Sequence, residues 1–292
     1  MPERARADQS AALTPPAGPI DLHTHSSVSD GTERPAELVE AAVAAGLAAV
    51  AITDHDSTAG WAEALAAAEG TDTVVIPGIE LSTQLEYASV HILGYFVDPE
   101  HADLVRATAE IREERFGRAA AMVGRIAQDY SITWDDVLAQ MSEGTTVGRP
   151  HIADALVAKG IVPDRTAAFR TILHWRGGYY QPHRAPLPVS GVELIVAAGG
   201  VPVIAHPGAR GPSTLFDDAR IRELVRAGLA GIELHHRDND PARLPMWRAW
   251  AAEHDLIETG SSDYHGAGKP NRLGEHTTDP AQFARILERA GR

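Results

Sequence analysis

Six histidines and three acids recur in this chain beside short apolar runs: His23-Thr24-His25, Asp30, His55, Glu80, His91, His206 and Asp263-Tyr264-His265. Imidazole and carboxylate together form the ligand set for Zn, Mn or Fe ions. Nine such groups exceed what one ion of about four to six ligands takes up. They point to a cluster of about two or three ions, the arrangement that activates water against phosphate esters. In an extended segment His23 and His25 share a face, because side chains alternate with period two. Six imidazoles clustered without counter-charge would be costly to protonate, so the three acids belong to the same centre. Asp54 and Asp56 flank His55; Asp54 reads as a residue that orients a ligand rather than one that binds the ion.

The elements that must position these residues are legible as short, β-branched runs bounded by Gly or Pro. They are Ile20 to His25, Ala48 to His55, Thr73 to Glu80, Ser89 to Phe96, Val201 to His206, Gly231 to His235 and Leu256 to Asp263. Such runs read as buried parallel strands. Helical patterns separate several of them. Pro35 to Ala45 has proline in its first turn and Gly46 just past its end. Ser57 to Ala68, Val189 to Ala198 and Asp217 to Ala227 follow suit. Alternating strand and helix implies a parallel sheet, with polar groups gathered at the carboxyl ends of the strands as in a barrel.

The stretch from Pro99 to Pro188 differs. Asp103 to Gln128, Trp134 to Gln140, His151 to Lys159 and Arg165 to His174 are helical, with no strand-like run before Gly177-Gly178-Tyr179-Tyr180. It reads as a helical insert over residues 99–188, capping a barrel built from 19–98 and 189–292. Met1 to Gly18 has no apolar core with a small-residue cleavage site, so it is expected to be a disordered tail rather than a secretory signal.

At 292 residues the chain suits one α/β barrel plus an insert. There are no cysteines, which excludes disulfides and a thiolate nucleophile and leaves N and O ligands for any metal. A cytoplasmic location is the default expectation. No apolar run reaches the ~18 residues of a membrane span. The formal net charge of −14 argues against an extended DNA-binding surface. Lysine occurs only at Lys159 and Lys269; the remaining 24 of 26 basic residues are arginine.

Among these arginines, Arg149 has the best claim to a substrate phosphate, since a guanidinium fork matches two phosphate oxygens. Arg115 and Arg118 share a helix face and are further candidates. Tyr179 is a candidate for base stacking, as aromatics do for single-stranded nucleic acid. Of His235 and His236, one should face the barrel and the other the outer layer. His101, His174, His254 and His276 lack ligand spacing and read as surface residues; His183 sits near the end of the insert.

Seven ordered blocks carry a resemblance: DLHTHSSVSDGT at 21–32, AITDHDS at 51–57, IPGIELS at 76–82, HILGY at 91–95, AHPG at 205–208, GIEL at 231–234 and GSSDYHG at 260–266. The chain resembles the polymerase-and-histidinol-phosphatase (PHP) family of metal-dependent phosphoesterases. The resemblance implies a distorted (β/α)7 barrel and two to three Mn, Fe or Zn ions. It places His23, His25 and Asp263 on one ion with Glu80, which bridges to a second held by His91 and His206. Asp30, His55 and His265 would hold the third. The similar subgroup with a helical insert hydrolyses 3′,5′-bisphosphorylated nucleotides and short 5′-phosphorylated RNA, so small nucleotides are the expected substrates. The expected chemistry is attack on phosphorus by a metal-bridged hydroxide, with His206 or His236 protonating the leaving oxygen. Two features depart from the family pattern: His235-His236-Arg237 after GIEL, and Lys269 with Arg272 after the last block. Both bear on substrate choice. Competing readings are a small-metabolite phosphomonoesterase acting on a substrate such as histidinol phosphate, and a non-catalytic metal- or partner-binding domain.

Overall fold

The structure, a computed structural model, describes residues 15–86, 88–182, 184–209 and 215–292. Most of the expected tail, residues 1–14, and His183 lie outside the described residues. Seven strands form one sheet in sequential order: β1 (Ile20–Asp21), β2 (Ala49–Ile52), β3 (Val74–Leu85), β4 (Ala88–Tyr95), β5 (Val201–Ile204), β6 (Gly231–His235) and β7 (Ile257–Gly260). The sheet curls into a nearly closed barrel. Beyond the strand ends, Thr24 bridges Tyr264 and the His25 amide donates to the Tyr264 carbonyl at 2.8 Å, tying the first strand to the last.

The sequence pattern led to the expectation of a parallel sheet, and the structure corrects it. β4 runs antiparallel to both β3 and β5. The reason is connection length. Only residues 86 and 87 separate β3 from β4, and a parallel crossover needs about a dozen residues. The reversal serves the site. Because β4 starts where β3 ends, His91, paired with Ser82, comes to the same end of the barrel as Glu80.

Helices α1 (Pro35–Ala44) and α2 (Trp61–Ala68) follow β1 and β2. Along β2, Val50 and Ile52 join one core with Leu38 and Trp61, while Ala49 and Ala51 face a second core with Ile76, Leu93 and Phe283. This two-sided burial is why the run is apolar throughout. Between β4 and β5 lie α3 (Ala102–Ile126), α4 (Trp134–Leu138), α5 (Arg149–Ala158), α6 (Arg165–Arg170) and α7 (Pro188–Ala197). The first half of α3 packs Leu104 and Ile111 into the barrel core. Its second half joins Met122 and Ile126 with Ile152, Leu156 and Leu173 in a core of the insert. One continuous helix thus ties the two cores together. The chain closes with α8 (Asp218–Ala227), α9 (Leu244–Glu253) and α10 (Pro280–Arg289); the last two have no counterpart among the expected helices. No helix of the described residues is long and apolar enough to cross a membrane.

Candidate metal centre

Glu80, near the middle of β3, is the hub. His91 Nδ1 lies 2.6 Å and His206 Nε2 3.0 Å from its Oε1. His55 Nδ1, His25 Nε2 and His23 Nε2 lie 2.8, 3.2 and 3.5 Å from its Oε2. The strand ends explain the convergence. β1, β2, β5 and β7 stop two to five residues before His23, His25, His55, His206, Asp263 and His265, which therefore sit on the barrel rim, and Asp30 follows in the turn after His25. Beyond β2, His55 pairs with Glu80 in a parallel bridge. Thr24 points away from its two histidine neighbours and donates to the Ala51 carbonyl at 2.6 Å.

All nine expected residues are brought together and buried. His25, Asp30, His55 and His265 have ligand atoms mutually within 4.8 Å; so do His23, His25 and Asp263, and so do two sets sharing Glu80. His25 therefore stands between two of the three expected groups. His206 and Asp263 have φ of 26° and 53°, in the left-handed region that side chains avoid. Such backbone strain persists where the surroundings enforce it, typically at functional sites.

The donor set fits divalent cations. Asp30 Oδ1, Glu80 Oε2, His55 Nδ1 and His265 Nε2 are buried without a hydrogen bond among the described residues. Buried orphan atoms of this kind are rare in folded proteins, and here they point at one another. Burial opposes every charge, yet the imidazoles hold Glu80 and Asp30 well below the usual carboxylate range, and Lys269, with the imidazoles, does the same for Asp263. Burial opposes His25 as well, but hydrogen bonds to Asp263 and Glu80 lift it to about 9. His265, buried and near Lys269, is lowered to about 4.

The layer behind these residues contains one that sequence reasoning missed. Glu233 of β6 is fully buried, with Oε1 3.2 Å from His23 Nδ1 and Oε2 accepting the His206 amide at 2.8 Å. Its partners hold it at about 2 against the opposing effect of burial. A carboxylate inside the apolar run of β6 was the available signal, since a buried charge demands a partner. It orients His23 so that Nε2 faces Glu80. Glu233→Gln is expected to weaken metal affinity by about 10- to 100-fold, measurable by titration of the metal-free protein with Mn. Asp54 acts through hydroxyls: it accepts from Ser26 and from Ser29 Oγ at 2.6 Å, and Ser29 Oγ lies 3.4 Å from His25 Nδ1.

A cavity of about 670 Å³ opens over the centre. Arg115, Arg118, Arg149, Arg165, Arg170 and Lys269 line it. Lys269 Nζ sits 2.7 Å from Asp263 Oδ2. Arg149, in the first turn of α5, lies 5.3 Å from the Phe169 ring and 5.5 Å from the Tyr180 ring. Arg118 lies over Tyr180 at 5.4 Å and donates to the Gln181 carbonyl at 2.7 Å. Arg115 is turned inward: its Nε is 2.8 Å from Asp56 Oδ2 and its Nη2 donates to Ser82 Oγ at 2.6 Å. It fastens α3 to the residues beside His55 and Glu80.

Tyr179 does not line the cavity. Its hydroxyl donates to Asp129 at 2.6 Å and its ring packs against the cluster of Met122, Ile126 and Ile152, while its neighbour Tyr180 takes the cavity wall. His174, expected at the surface without a role, also lines the cavity. His235 is exposed and His236 buried. His236 Nδ1 accepts the Asp238 amide at 3.1 Å, which puts the ring proton on Nε2, 3.6 Å from Asp263 Oδ2.

Residues 21–159 match the PHP domain profile. The chain is 33% identical over 271 residues to the 3′,5′-nucleoside bisphosphate phosphatase of Chromobacterium violaceum, covering 92% of this chain and 95% of that one. It is 31% identical over 246 residues to a 5′-3′ exoribonuclease of Haemophilus influenzae, covering 84% and 89%. The crystal structure of a Bifidobacterium adolescentis protein, provisionally described as a metal-dependent phosphoesterase, superposes with a TM-score of 0.89 at 44% identity, covering 94% and 97%. Site, fold and relatives agree: the chain belongs to the PHP family of metal-dependent phosphoesterases, hydrolases that act on phosphoester bonds.

Proposed function

We propose that this enzyme hydrolyses nucleotide phosphoesters, either 3′,5′-bisphosphonucleotides or short 5′-phosphorylated RNA. One observation carries the reading: a cavity lined by six cations, on a chain of net charge −14, opens directly over nine clustered ligand residues. Its volume suits a small molecule, and Phe169 and Tyr180 offer aromatic faces for a base. The bisphosphate phosphatase and exoribonuclease among its relatives support the same class.

We assign the ligand residues to two or three ions of Mn, Fe or Zn: His23, His25 and Asp263 with Glu80; Glu80 with His91 and His206; Asp30, His55 and His265. When bound, such ions neutralise phosphoryl oxygens and acidify water. The residues of the chain do the rest. Lys269 engages one oxygen of Asp263, leaving the other for the centre, and adds positive charge at the cavity floor. Arg149, flanked by two rings, grips the phosphate distant from the scissile bond. His206 Nε2 is committed to Glu80, so the Nε2 proton of His236 is the one offered to the leaving oxygen.

Arg149→Ala is expected to raise KM for adenosine 3′,5′-bisphosphate by about 10- to 100-fold, the loss of one or two charge-assisted hydrogen bonds, with a smaller change in kcat. Steady-state kinetics checks this. An unchanged KM would remove Arg149 from substrate binding and weaken the bisphosphate reading.

A further inference from the structure

The π-surface and positive charge of the cavity continue past its rim. Arg170, the last residue of α6, and His174 line the cavity. The His174 ring lies 5.8 Å from that of Trp175, tilted by 33°. Trp175 is 61% exposed, and the Arg176 guanidinium lies 4.3 Å from its ring centroid. Singly exposed apolar residues are ordinary on protein surfaces. This one is the next ring outward from a cavity wall and carries a guanidinium against its face, on a chain of net charge −14.

Resting on the nucleotide reading above, we propose that His174, Trp175 and Arg176 form a second nucleotide subsite for single-stranded oligonucleotides. The base that follows the 5′ nucleotide stacks on Trp175, and Arg176 meets its backbone phosphate. Stacking suits this role because every base has a π-face, which makes the contact tolerant of sequence. Arg176 covers part of the indole, and the exposure of the ring leaves the remainder open to a base. A single bisphosphonucleotide is held within the cavity and does not depend on this platform. The subsite therefore biases the enzyme towards chains longer than one nucleotide.

The test compares kcat/KM for a 5′-phosphorylated RNA trinucleotide and for adenosine 3′,5′-bisphosphate in the metal-loaded wild type, Trp175→Ala and Trp175→Phe. The RNA-to-bisphosphate ratio is expected to fall about tenfold in Trp175→Ala, through KM, and to be largely restored in Trp175→Phe, which keeps a ring. A ratio unchanged in Trp175→Ala overturns the proposal. So does a wild-type enzyme that turns over the bisphosphate but not the RNA. A wild type inactive on both substrates is a different failure, that of the nucleotide reading itself.

Discussion

Glu80→Ala is expected to lower kcat/KM for phosphoester hydrolysis by about a thousandfold or more. Five imidazole nitrogens lie 2.6–3.5 Å from the two oxygens of this carboxylate, and no other acid in the site touches as many ligands. On the ligand assignment proposed above, its removal would take an anionic donor from more than one ion at once. It also leaves five buried rings facing one another without counter-charge, a costly arrangement. A loss of about 4 kcal/mol of transition-state stabilisation corresponds to that thousandfold. Glu80→Gln keeps the volume and removes the charge, and it should fall almost as far. Metal analysis alongside kinetics checks the cause: both variants should bind substoichiometric metal. A variant that keeps both its metal and the wild-type rate would show that Glu80 is no hub.

The metal-free protein should have a narrow pH range of stability that metal widens. Burial disfavours a charged His25, but its hydrogen bonds to Asp263 and Glu80 prevail and raise it from 6.5 to about 9. A raised histidine stabilises the fold fully below about pH 6.5, and that contribution disappears as pH climbs through 9. The shift corresponds to about 3 kcal/mol, or about 6–10 °C in Tm for a chain of this size. His265 works in the other direction. Burial, then the nearby Lys269 charge, lower it to about 4, so its contribution is lost as pH falls from 6.5 through 4. With chelator present, Tm should therefore peak near neutrality and decline towards pH 9. With Mn bound, the ring nitrogens are occupied and the alkaline decline should vanish. Thermal scans from pH 5 to 9, with and without metal, read this directly; identical profiles would contradict it.

Much of this site was legible because its residues sit where apolar runs end. Strand ends are easy to find in a sequence whose strands are buried on both sides, and polar groups at those ends have few reasons to be there. The direction of β4 was not read correctly, although the eight residues between the apolar runs 73–80 and 89–96 are too few for a helical crossover. Glu233 escaped because it lies inside the apolar run 231–235, whereas Glu80 closes the run 73–80. Tyr179 and Tyr180 illustrate a different limit. Adjacent residues in an irregular loop point in different directions, and only the fold of the insert determines that Tyr180 faces the cavity. Arg115 shows the same: helical spacing put it beside Arg118, yet Asp56 and Ser82 draw it inward while Arg118 reaches the loop at Gln181.

The most direct measurement is product release by the Mn-loaded enzyme from adenosine 3′,5′-bisphosphate, a short 5′-phosphorylated RNA and histidinol phosphate, assayed side by side. A clear preference for the nucleotides, abolished in Asp263→Ala, is the expected result. Turnover of histidinol phosphate alone would contradict it, leaving the metal centre in place but assigning the cation-lined cavity to a small metabolite.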